Sequence, residues 1–119
     1  MHTSPDFQYL SIARAMEYIA DEAGVMTLMH TLRQSLQDDL PRIEQCLADG
    51  NVPGANEWLH QLKGFTPVFC TDALITEVVS VEGLSKQGSI DAVRQAYASL
   101  APKLAQLQAE VERHIAANP

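Results

Sequence analysis

Between Val25 and Leu47 apolar residues return every three or four positions: Val25, Leu28, Met29, Leu32, Leu36, Leu40, Ile43 and Leu47. That period is helical, and it is the clearest pattern in the chain. A helix of this kind buries one long stripe, so it needs other helices or a sheet to cover it. The rest of the sequence supplies helices. Aromatic residues make up only 6% and glycines number 6, while Ala, Leu and Gln are common, a mix that favours helix over sheet.

Four more helical segments are expected around that one. The first follows Ser4-Pro5, a good cap and first-turn pair, and carries Phe7, Leu10, Ala13 and Met16 before fading ahead of Gly24. The third starts near Val52-Pro53, after Asp49-Gly50-Asn51 has ended the second. The fourth is capped by Thr71 or Asp72, shows Leu74, Val78, Val81 and Leu84, and stops at Gly88. The fifth is capped by Ser89 and runs through Val93, Tyr97, Leu100, Leu104, Leu107, Val111 and Ile115. Pro41 and Pro102 interrupt the second and fifth patterns, and a bend or break is expected at each. Short connections make neighbouring helices antiparallel. The expected architecture is therefore all-α: an antiparallel up-down-up-down four-helix bundle with an additional N-terminal helix. The 119 residues are read as one domain, 1–119.

Charge narrows the function classes. The net charge is −7, so nucleic acid and anionic membrane would both repel the chain. No apolar run approaches a membrane span, and the N-terminus lacks the layout of a signal peptide. Cys46 and Cys70 form no CxxC motif and read as buried free thiols, which suits a cytoplasmic protein. Metal binding would need Glu-x-x-His pairs on several helices, but position 27, three before His30, is threonine. His2 and His114 lie near the ends.

The third segment carries the chemistry. At 100° per residue, Ala55, Leu59, Leu62, Thr66 and Phe69 share one side, with Trp58 and Phe65 at its edge. His60, Gly64, Pro67 and Thr71 fall opposite, with Glu57 beside them and Lys63 on one flank. His60 is thus expected to face solvent. A helical side chain leans toward the N-terminus, so a large residue at 64 would shade the ring at 60. Glycine removes that shade at a cost of about 1 kcal/mol against alanine. Neutral imidazole is a competent nucleophile near pH 7, and Lys63 offers a cation to an anion carried on the ring. The anion is read as phosphoryl and the attacked atom as Nε2, the nitrogen that projects furthest.

His60-Gln61-Leu62-Lys63-Gly64 resembles the His-x-Leu-Lys-Gly signature of histidine-containing phosphotransfer (HPt) domains. Ordinary residue usage would produce that pentad in on the order of one in a thousand chains of this length, so the match is specific. The long amphipathic segment before it, Asp49-Gly50-Asn51, and Val81-Glu82 with Leu84 after it extend the resemblance from about Leu10 to Val111. The resemblance implies a four-helix bundle that relays phosphoryl between receiver-domain aspartates. His60 would be the phosphoacceptor, Lys63 its charge partner and Gly64 the cleared position that gives a partner access.

The implied partners are response-regulator receiver domains, with a hybrid sensor histidine kinase as a further candidate. The chain itself would need no cofactor, because the receiver brings Mg²⁺. It carries no glycine-rich nucleotide loop, so it reads as a carrier without ATP-dependent kinase activity. Contacts are expected on the exposed side of the second and third helices. Cys70 stands where the family commonly has glycine, and Pro67 is unusual inside that helix. Both favour the alternative, a non-catalytic module that binds receivers without being phosphorylated. An exposed site fits a monomer. The Met1 start and the Ala116-Ala117-Asn118-Pro119 end favour a free-standing protein over an excised domain.

Overall fold

A computed structural model describes residues 7–119. Its described residues form five helices: α1 (Ile12–Tyr18), α2 (Glu22–Ala48), α3 (Val52–Phe69), α4 (Asp72–Ser85) and α5 (Ile90–Ala117). The fold is all-helical. The one β-type pairing among these residues is an isolated antiparallel bridge between Leu10 and Cys70. No helix among them is long and apolar enough to cross a membrane.

Local sequence sets most of the helix starts. Ser11, Asp21, Asn51 and Ser89 each accept a hydrogen bond from a backbone N–H three residues on, satisfying one of the free donors of a first turn. Thr71 precedes α4 but makes no such bond. Between α2 and α3 the chain reverses at Gly50, whose φ of 74° favours glycine. The fourth segment ends at Ser85, ahead of the expected stop at Gly88.

The expected breaks at Pro41 and Pro102 do not occur, and α2 and α5 continue through them. Each proline leaves the carbonyl four residues earlier without its helical donor. Those carbonyls belong to Gln37 and Ala98, both exposed like the prolines themselves, so water can take the missing bond. Pro67 likewise sits inside α3 and does not end it.

The first segment differs from expectation. Ser4 and Pro5 lie outside the described residues, and the helix starts only at Ile12. Residues 8–10 before it lie outside any helix and are held by distant groups. Glu110 accepts from the N–H groups of Gln8, Tyr9 and Leu10 at 2.7, 3.0 and 2.9 Å. Tyr9 O accepts from Thr71 N, and Phe69 O accepts from Ser11 N. Donors committed to Glu110 cannot also serve a helix.

The core runs along facing stripes. Met29, Leu36 and Ile43 from α2, Leu59 and Leu62 from α3, Leu74 and Val78 from α4, and Leu100, Leu104 and Leu107 from α5 are all buried. α3 packs on α2 and α4, and α5 packs on the other sides of the same two helices. α2 and α5 run in opposite directions, because Arg33 pairs with Glu112 at one end while Arg94 donates to the Leu47 carbonyl at the other. Helices α2 and α5, with 27 and 28 residues, are longer than α3 with 18. At 1.5 Å per residue they overhang α3 by roughly 14 Å in total. α1 packs on α2 and α3. Cys70 is buried and Cys46 half-buried, both as free thiols.

Candidate functional site

The core face of α3 forms as the wheel predicts, but Thr71, expected on the open face, lies beyond the end of α3 with its Oγ1 buried. Ala55, Leu59, Leu62, Thr66 and Phe69 are buried, while Trp58 and Phe65 are half-buried at the edge. The guanidinium of Arg42, from α2, lies 4.6 Å from the centre of the Trp58 ring and covers that edge. With its core stripe fixed, α3 must turn His60 outward, and the imidazole side chain is 66% exposed. One turn on, a Cβ at Gly64 would meet nothing within 4 Å. The glycine is therefore not required by a close helix–helix approach, and it leaves open space beside the ring. Glu57 and Gln61 are exposed on the same helix.

The charged group nearest the ring comes from α4, a helix the sequence did not bring to the site. Glu82 is buried, 1% exposed, with its carboxylate under the outer edge of α3. His60 Nδ1 lies 3.5 Å from Glu82 Oε2. Lys63 Nζ is 3.2 Å and Lys86 Nζ 3.6 Å from Oε1. Asn56 donates to Oε2 and to the Glu82 carbonyl, each at 3.3 Å, and to Ser85 Oγ at 2.8 Å. Ser85 in turn donates to the Glu82 carbonyl at 2.6 Å. The expected residues His60 and Lys63 are thus joined through a carboxylate that the motif does not contain.

Burial by itself would push the Glu82 carboxyl pKa up. The hydrogen bonds from Lys63 and Asn56 and the charges of Lys63 and Lys86 outweigh it, so the pKa lies below its ordinary value. Glu82 is consequently an anion at neutral pH. Its place beside Nδ1 favours the tautomer with the proton on Nδ1, leaving the lone pair on the outer Nε2. At 3.5 Å the effect is electrostatic, since an ordinary hydrogen bond is shorter. Two lysines against one carboxylate leave the cluster one positive charge in surplus.

Sequence reading missed Glu82, Asn56 and Lys86 as members of the site. One signal was available. Glu82 follows Val78 by four positions on the α4 stripe, and a carboxylate on a buried face must have partners. Reading Leu84 as the end of that stripe hid the signal: Leu84 is half-buried, and the buried face passes through Val81, Glu82 and Ser85.

The chain matches no protein-family model, no curated protein and no solved structure among those compared.

Proposed function

We propose that this chain is a phosphorelay intermediate of the histidine-containing phosphotransfer type, with α2 to α5 as its antiparallel up-down-up-down four-helix bundle and α1 as the additional N-terminal helix. The observation that carries the reading is the exposed His60 ring. Its Nδ1 faces the buried Glu82 anion, and open space lies over Gly64. His60 Nε2 attacks the phosphorus of an aspartyl phosphate on a receiver domain. The N–P bond forms as the acyl P–O bond breaks, and the electron pair leaves on the receiver's carboxylate. Nδ1 keeps its proton, and Glu82 stabilises the positive charge that the ring gains.

Lys63 and the surplus charge of the cluster offset the incoming phosphoryl group. Phosphoryl transfer depends mainly on placement and charge stabilisation. The receiver supplies Mg²⁺, and this chain supplies the placed nucleophile. Transfer to a second receiver reverses the same steps. The chain consumes no ATP in this scheme.

The test is direct. Mixing the protein with phosphorylated receiver domains should give an acid-labile phosphate on His60, absent from His60→Ala, while that variant keeps the wild-type helical signal. Absence of labelling by every receiver, with binding retained in His60→Gln, would replace the relay by the non-catalytic receiver-binding module.

A further inference from the structure

At the end of the molecule where α2 begins and α5 finishes, α1 does not fill the space between them. A cleft of about 280 Å³ remains. Ile12 and Met16 of α1, Val25 and Met26 of α2, and His114 of α5 line it, with Glu22 also on its wall. Phe69, whose carbonyl binds Ser11, is nine residues beyond His60 on α3. Nine helical residues span about 14 Å, so the cleft is separate from the exposed histidine.

His114 makes this cleft more than a packing gap. The residue is 6% exposed, and its ring edge meets Phe7 with centroids 6.3 Å apart. Among the described residues no donor or acceptor hydrogen-bonds to the ring; the contact at this position is made by the His114 carbonyl, which accepts from Asn118 Nδ2. A buried polar ring ordinarily has a partner. His114 is one of the residues lining the cleft.

We propose that this cleft binds a small, neutral, mostly apolar molecule with one hydroxyl or N–H group, and that the His114 ring pairs with that group. Size sets the upper limit. A cavity of about 150 Å³ holds benzene, so about 280 Å³ admits two fused six-membered rings. Two methionines suit an aromatic guest, because thioether sulfur is polarisable and its side chain adapts. Charge sets the class. Among the described residues no lysine or arginine lines the cleft, and the Glu22 carboxylate opposes an anion. Burial also holds the His114 pKa below its ordinary value, so the ring is neutral and offers one donor and one acceptor.

The test titrates the full chain with 2-naphthol and with naphthalene, following the labelled methyl groups of Met16 and Met26 by NMR. Both probes should give saturable shifts, with 2-naphthol the tighter. In His114→Phe, affinity for 2-naphthol should fall about fivefold or more, while that for naphthalene changes less than about twofold. Ala23→Trp, at an exposed position on the cleft wall, should weaken both at least about tenfold without lowering helix content. His60→Ala should bind both probes like the wild type. Unsaturable shifts, equal loss of both probes in His114→Phe, or full affinity in Ala23→Trp would each overturn the proposal.

Discussion

Glu82 gives the exposed histidine a chemical setting that the His60-Gln61-Leu62-Lys63-Gly64 motif alone does not supply. The carboxylate is buried, ionised and shared by an imidazole and two lysines. Glu82→Gln keeps the volume and removes the anion. In the proposed relay it should slow single-turnover transfer from a phosphorylated receiver roughly tenfold, equivalent to about 1.4 kcal/mol in the barrier. The lysines lose their shared counter-ion in the same variant, so binding of the receiver should not weaken in step. An unchanged transfer rate would remove Glu82 from the mechanism. The two ends of this site differ in legibility. His60, Lys63 and Gly64 lie within one turn and a half of one helix, where sequence spacing fixes which side each residue takes. Glu82 comes from another helix, and its approach depends on the rotation of α4, which a stripe ending in Leu84 misjudges.

Helices tolerate local faults in this protein when the orphaned groups face water. Pro41 and Pro102 illustrate this, and sequence reading overestimated both because a proline's position on the wheel matters more than its presence. α3 carries two faults of another kind. Gly64 weakens the helix without meeting any neighbour, so Gly64→Ala should stabilise the protein by about 1 kcal/mol in urea unfolding. Gly64→Gln should also remain folded yet transfer phosphoryl more slowly, because its side chain would cover the His60 ring; equal rates would leave the glycine without a functional account. The second fault is inside. Thr66 is fully buried, and among the described residues its Oγ1 has no hydrogen-bond partner. Thr66→Val replaces that hydroxyl with a methyl group of similar size. It should raise stability by about 1 kcal/mol, read as a higher urea midpoint at an unchanged slope. A lower midpoint would mean that the hydroxyl is satisfied in solution. The Thr66 position was legible as core, but the missing partner was not, since partners depend on the neighbouring helices.

Over the whole molecule, buried titratable groups tie stability to pH, and they do not all pull the same way. Glu110 is fully buried on the α5 core stripe, yet it binds backbone groups 100–102 residues away. That separation is why the periodic sequence showed a helix where residues 8–10 in fact lie outside any helix. Burial alone would raise its pKa, but the N–H of Gln8, the Gln106 amide and the N–H groups of Leu10 and Tyr9 bring it below the ordinary carboxylate range. Glu82 is shifted in the same direction. For both, the unfolded chain takes up protons first as pH falls. Their stabilisation is complete above the ordinary carboxylate range and is lost as pH drops through the lower folded-state values. His114 also has a lowered pKa, so its contribution starts to fall earlier, as pH goes below the ordinary histidine range. Asp39 opposes them: burial raises its pKa against the pull of Arg42, so the folded form takes up its proton first and gains stability on acidification. Three groups against one predict a net loss in acid. Glu110→Gln isolates the largest structural part of it, because the amide cannot accept from three N–H groups and still keep its own NH₂ satisfied. The variant should lose about 2–3 kcal/mol at pH 7, and the difference from wild type should shrink as pH falls below the ordinary carboxylate range and through the lower folded-state value of Glu110. Urea unfolding of both proteins from pH 7 down to pH 3 measures this. A gap that stays constant over that range would show that Glu110 holds the N-terminal segment by shape and not by its charge.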